Sequence, residues 1–220
     1  MSRSLWLSIG MIVIVIVASL TMYPALPASM PIHWNLRGEV DGWAAKPWGV
    51  SSMPVIMLGL LLLFRALPYL SPKSFTLDTF RSTYDRIALS SLAFCTYLQG
   101  VILWAAMHLT FEPATAFMGG ACLLLAILGN VLGKVRRNFW VGIRTPWTLA
   151  SDRVWNATHR LAAKLFVGAG MLGLVAAACG LSPLPMFGVF IGSIMFAALC
   201  PAGYSLWLYK SLEKRGELET

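Results

Sequence analysis

The sequence predicts an all-α, polytopic membrane protein with six transmembrane helices and both termini in the cytoplasm. Three observations carry this. First, 58% of the 220 residues are apolar and only 12% are charged, against about 25% charged in an average soluble domain. The mean hydropathy is +0.71, and 17 basic and 9 acidic side chains are too few to give the chain a charged skin. Second, uncharged stretches recur at membrane length: 29 residues between Arg3 and His33, 18 between Lys46 and Arg65, 21 between Arg86 and His108, 21 between Glu112 and Lys134, and 45 between Lys164 and Lys210. A helix needs about 20 apolar residues to cross a hydrocarbon core of roughly 30 Å, and Pro183 and Pro185 divide the last stretch into two spans. Third, the basic residues segregate. With the N-terminus inside, 15 of the 17 fall on the cytoplasmic side and only Arg37 and Lys46 fall outside, as the positive-inside rule requires. These features exclude a soluble enzyme, a DNA-binding domain, a secreted disulfide scaffold and a β-barrel.

Leu5 to Met22 forms the first span. Its apolar core is longer than the ~7–15 residues of a signal peptide and ends in Thr21-Met22-Tyr23-Pro24 rather than a small-x-small cleavage pattern, so it is expected to stay as an anchor. Residues 24–49 form an outer loop rich in proline, glycine and tryptophan. Prolines 24, 27, 31 and 47 block a continuous helix. Asp41-Gly42 gives a turn signal, with Ile32 to Asn35 as a short extended piece before it. Val50 to Leu67 is the second span, and a charged connection through Arg86 leads into the third, Ile87 to Met107. After a short outer link, His108 to Pro113, the fourth span is Ala114 to Gly133.

Residues 134–164 form a basic, tryptophan-rich inner loop. Ser151 offers an N-cap and Asp152 a negative charge in a first helical turn. Val154, Trp155, Thr158, Leu161, Ala162 and Leu165 then recur at helical spacing, with Arg153, Asn156, His159, Arg160 and Lys164 on the other face. A basic amphipathic helix of this kind lies in the headgroup plane, here running on into the fifth span, Leu165 to Leu181. Met186 to Leu208 is the sixth, followed by a solvated helix end. Spans five and six are rich in Gly and Ala, which suits close packing. The chain divides into a two-span N-terminal module, residues 1–70, and a four-span module, residues 71–220.

Several residues are candidates for chemistry. In the outer loop, His33, Asn35 and Asp41, with Trp43 beside them, suit a polar ligand; their spacing matches no tight metal signature. In the inner loop, Arg144 sits in a segment that Pro146 keeps from regular helix, where a planar guanidinium suits two-point recognition of a carboxylate or phosphate. Gly142 and Pro146 shape that turn, and Thr145 and Thr148 cap it. Cys95, Cys122, Cys179 and Cys200 all fall inside spans and read as small inert thiols. The sequon Asn156-Ala157-Thr158 faces the cytoplasm and is silent. No span carries a central Asp, Glu, Lys or Arg of the kind that proton-coupled carriers and intramembrane proteases use. No nucleophile–base pair stands out, so the chain is read as a non-enzyme.

Two segments resemble a known family. Asn138-Phe139-Trp140-Val141-Gly142-Ile143-Arg144-Thr145-Pro146-Trp147-Thr148-Leu149, followed by Asp152 to Arg160, is similar to the signature of SdpI-like membrane proteins. Pro27 to Trp48, with Met30-Pro31-Ile32-His33-Trp34-Asn35 and Gly38-x-x-Asp41-Gly42-Trp43, resembles the N-terminal module of unknown function that opens longer members. The resemblance implies a multi-span immunity or signalling protein of the bacterial cytoplasmic membrane, one that answers a membrane-active killing peptide and can hold a transcriptional regulator at the membrane. The expected partners are membrane lipids, a peptide toxin on the outer side and a cytoplasmic regulator, with no direct nucleic acid and no cofactor or metal. The inner-loop residues expected to bind are Asn138, Gly142, Arg144, Thr145, Trp147, Trp155 and His159, with Arg144 as an anion clamp and the tryptophans setting interface depth. Two other classes remain open: a small transporter or channel using groups such as Gln99 and Asn130, and a membrane enzyme whose inner arginines bind lipid phosphate.

Overall fold

The computed structural model describes residues 3–108, 111 and 113–218; of the expected link after the third span, residues 109, 110 and 112 lie outside them. Among the described residues, six helices are long and apolar enough to cross a membrane: α1 (Arg3–Met22), α2 (Lys46–Leu70), α3 (Arg81–Met107), α4 (Pro113–Leu132), α6 (Asp152–Ala178) and α7 (Pro183–Arg215), with a single-turn helix α5 (Pro146–Ala150) before α6. Apolar side chains such as Ile14, Leu20, Leu62, Leu172, Phe196 and Trp207 point outward from these helices. That is the surface a helix bundle presents to lipid, where every backbone polar group is already satisfied within the helix.

The bundle has two packed halves. Val15 of α1, Met53 and Met57 of α2, and Leu92 and Cys95 of α3 form one core. Met118 and Cys122 of α4, Ala176 of α6 and Met186 of α7 form another. The closest approach is between α4 and α6, and small residues make it possible. A Cβ added at Gly129 would lie 2.7 Å from the backbone nitrogen of Val167, and one at Gly170 would lie 2.7 Å from that of Ala126. The expected glycine packing is therefore present on α6.

The segment between α1 and α2 is not an irregular loop. It holds an antiparallel hairpin of β1 (Ser29–Trp34) and β2 (Val40–Ala45), so the helical bundle carries one small two-stranded addition. The extended piece at Ile32 to Asn35 is largely strand, but the turn is not at Asp41-Gly42. It is made by Asn35, whose Oδ1 accepts from the Arg37 and Glu39 amides at 2.8 and 3.1 Å, with Gly38 at φ +84°. An Asn side chain that mimics a backbone turn competes well with an Asp-Gly pair. Gly42 sits instead in β2 opposite His33, where the register shifts; a Cβ there would lie 2.7 Å from the His33 Cβ. Met30, fully buried, anchors the hairpin against Leu26, Val50, Leu103 and Ala106.

At the opposite end, the basic amphipathic stretch runs on into the fifth span as expected: it is the first part of α6, continuous to Ala178. Ser151 does cap it, its Oγ accepting from the Val154 amide at 3.4 Å. His159 leaves the expected polar face and is fully buried with Val154, Trp155, Thr158 and Ala162. The helix turns this face toward the loop before it, and the loop needs the imidazole. All 17 basic residues are among those described, and only Arg37 and Lys46 belong to the hairpin end.

Candidate functional site

Beneath the hairpin lies a cavity of about 600 Å³. Its roof is Ile32 to Leu36 with Asp41. Its walls come from four helices: Met53 of α2, Leu98, Val101 and Ile102 of α3, Ala114, Phe117 and Met118 of α4, and Pro183, Phe187 and Phe190 of α7. Both halves of the bundle thus contribute to its walls, and the hairpin covers part of the gap between them. Its tip reaches across to α7: a Cβ on Gly38 would stand 3.1 Å from the Pro183 ring.

The polar residues of the roof are positioned by the hairpin itself. His33 Nδ1 pairs with the Asp41 carboxylate across the strands, and the Asn35 amide donates to Glu39 at 2.8 Å. Three of the four outer candidates, His33, Asn35 and Asp41, line the cavity. Trp43 does not; its side chain is exposed to the outside of the hairpin end. The two basic residues of this end are absent from the cavity lining, and Lys46 is turned away, donating to the Tyr23 carbonyl at 3.1 Å. An apolar chamber with a few convergent polar groups is the usual form of a small-ligand site.

The loop of residues 133–151 at the other end is a self-satisfied knot. Buried Asn138 is its centre. Its amide donates to the carbonyls of Arg136 and Val141 at 2.8 and 2.9 Å, and its Oδ1 accepts from the amides of Trp140 and Val141 at 2.8 and 2.7 Å. Gly142, at φ +115°, lets the chain pass directly over the His159 ring. The Ile143 amide then donates to His159 Nε2 at 3.0 Å, which leaves the ring proton on Nδ1, donated to the Trp155 carbonyl at 2.9 Å. This arrangement requires a neutral imidazole. Trp155 stacks on that ring at 4.0 Å, is itself fully buried, and donates through Nε1 to the Val135 carbonyl at 2.8 Å. It therefore fixes the knot rather than an interface depth.

Thr145 and Thr148 form a reciprocal capping box at the start of α5, and Thr145 Oγ1 shares a hydrogen bond with Ser205 Oγ of α7 at 3.0 Å. Arg137 is held by Asp152 at 2.8 Å and by the Leu149 carbonyl at 2.8 Å. Trp140 donates to Ser71 Oγ at 2.8 Å, tying in the end of α2. Arg144 is exposed and donates to the Phe139 carbonyl at 2.7 Å, with the rest of its guanidinium turned outward; Trp147 is half-buried. Of the seven inner candidates, Asn138, Gly142, Thr145, Trp155 and His159 are thus joined in one network, with Arg144 and Trp147 at its surface.

Sequence reasoning did not single out the cavity walls. Phe117, Phe187 and Phe190 are ordinary apolar residues of spans, and nothing in their spacing distinguishes a wall from a lipid face. Neither Gln99 nor Asn130, the polar groups named for a conduction path, lines the cavity. Gln99 is buried and donates to Ser19 Oγ and the Gly49 carbonyl at 3.1 and 3.4 Å, whereas Asn130 is exposed.

Comparison with known proteins adds a frame to this geometry. The SdpI/YfhL protein family matches residues 134–205, and a domain of unknown function, DUF1648, matches residues 10–58. The immunity protein SdpI of Bacillus subtilis (strain 168) is 26% identical over 174 residues, covering 76% of this chain and 77% of that protein. No solved structure matches. The first matched region spans the knot, α5, α6 and most of α7; the second spans most of α1, the hairpin and the first half of α2. The chain is thus a multi-pass membrane protein in which a segment similar to the SdpI/YfhL family is joined to a segment similar to DUF1648.

Proposed function

We propose that this chain is an immunity protein of a bacterial cytoplasmic membrane, which captures part of a membrane-active peptide in the cavity under the hairpin. The single observation that carries this reading is where the cavity lies. Its roof and Met53 come from the DUF1648 segment, and Pro183, Phe187 and Phe190 come from the SdpI/YfhL segment. A chamber built jointly by both segments explains why they are joined in one chain. The likeness to an immunity protein supports the biological role. The segregation of basic residues supports an outward-facing hairpin, which is the side a peptide toxin reaches first.

In this reading the knot is the cytoplasmic end, and its exposed face, with Arg144 and Trp147, docks a regulator. The outward guanidinium keeps donors for a partner carboxylate. A guest in the cavity acts on that face only by favouring one packing of the bundle over another.

The test is survival. Cells sensitive to membrane-active killing peptides, expressing the chain, are challenged with a panel of such peptides. Protection is expected from the wild type and is expected to fall when Met118→Trp or Ala114→Phe fills the cavity, at membrane levels matched by immunoblot. Equal killing with and without the wild-type chain across the panel overturns the proposal.

A further inference from the structure

We infer that the cavity is selective for an ammonium group carried beside large apolar side chains, as in a lysine or free amino terminus within a hydrophobic peptide segment. This deepens the capture reading above and rests on it. The argument starts from charge. Among the residues that line the chamber, Asp41 is the one carboxylate, and none is a Lys or Arg. One of its carboxylate oxygens is taken by His33, and the side chain remains 43% exposed, so the second oxygen is open to a guest. Glu39 is engaged by Asn35, and neither Arg37 nor Lys46 lines the chamber.

The walls supply the second argument. Trp34 and Asp41 belong to the roof, and Phe117, Phe187 and Phe190 face the same space. Aromatic faces attract cations through the ring quadrupole, and this attraction grows where water is excluded. A carboxylate and several aromatic rings lining one space make a site for an organic cation, with room for the apolar neighbours of that cation.

The same chemistry separates a peptide from a phospholipid. Phosphatidylethanolamine also presents an ammonium beside apolar chains, but it brings a phosphate next to it. No Arg or Lys lines the chamber to receive that phosphate, so the observations favour a peptide cation.

The experiment uses the full chain in phosphatidylcholine nanodiscs. Three labelled probes are compared by equilibrium dialysis: acetyl-Phe-Leu-Phe-Lys-amide and its Gln and Glu counterparts. Empty discs are subtracted to remove membrane partitioning. The Lys probe is expected to bind the wild type roughly three- to tenfold more tightly than the Gln probe, and the Glu probe more weakly still. Asp41→Asn should abolish the preference, and Asp41→Glu should retain it. Equal binding of the Lys and Gln probes to the wild type overturns the inference, as does a preference that survives in Asp41→Asn. Displacement of the Lys probe by phosphatidylethanolamine added to the discs also overturns it, by assigning the site to lipid. The two readings fail separately. Protection that is lost on filling the cavity, without any charge preference, leaves capture standing and removes this inference. A clear preference without protection does the reverse.

Discussion

Replacing Gly142 by Ala should loosen the knot by a calculable amount. The glycine sits at φ +115°, a region that side chains occupy only with strain of about 1–3 kcal/mol. The new Cβ would also fall onto Nε2 of His159, the atom that accepts the Ile143 amide at 3.0 Å. Pushing the ring aside strips a partly buried N–H of its partner, at a further cost of about 1–3 kcal/mol. The total is roughly 2–6 kcal/mol, and at about 2–4 °C per kcal/mol for a chain of this size the unfolding midpoint should fall by about 4–24 °C. The assay is thermal unfolding in detergent, read by a thiol-reactive dye in a Cys179→Ser, Cys200→Ser background. Cys95 and Cys122 are buried in the helix cores, so dye reaches them only as the bundle opens. Adding His159→Ala removes the ring, and Gly142→Ala should then cost markedly less. A midpoint within about 2 °C of the parent would refute the reasoning.

Three further outcomes follow from the geometry. Asn138→Ala leaves two backbone amides and two carbonyls of the knot without their partner and should destabilise the chain by at least about 2 kcal/mol in the same dye assay. Gly129→Leu places a side chain where a Cβ alone would stand 2.7 Å from the Val167 nitrogen; α4 and α6 must separate, so the yield of monodisperse protein in detergent should collapse, whereas Gly10→Leu, with open space around it, should be tolerated. Single cysteines at Leu36 and Arg144, in a chain cleared of its own thiols, should label oppositely in intact cells: an impermeant maleimide should reach Leu36 and not Arg144. Labelling of Arg144 from outside would reverse the orientation on which the proposed function depends.

The spans were legible because charge is so costly in a bilayer. The gaps between ionisable residues set the six long helices to within a few residues, although α3 begins at Arg81 and α6 at Asp152, earlier than the apolar runs alone suggest. Those polar first turns are packed against the knot rather than lying in lipid, so hydropathy cannot place them. The hairpin was half visible. Its extended piece was read, but two turn signals compete within eight residues, and the choice between Asn35 to Gly38 and Asp41-Gly42 depends on which glycine must meet His33 across the strands. The inner motif was recognisable by residue type, yet its internal bonding was not. His159 looks solvated on a helical wheel, and only the path of the loop before it reveals that the imidazole is an acceptor for Ile143. The cavity was invisible for a simpler reason: apolar residues facing an empty space and apolar residues facing lipid are written in the same letters.

Helix α7 carries Phe187 and Phe190 in the cavity wall and, about 27 Å further along at 1.5 Å per residue, Ser205 against Thr145. Between them Pro201 lies inside the continuous helix, removing the amide that would bond to Ala197 and leaving a compliant joint. The rod therefore has one soft point between its cavity end and Ser205. Under the proposed capture, a guest leaning on the two phenylalanines would tilt the arm that carries them, and the joint would either absorb that tilt or pass it on to Ser205 and its threonine partner. Stiffening the joint with Pro201→Ala or Pro201→Leu would decide how much of the motion crosses the bilayer.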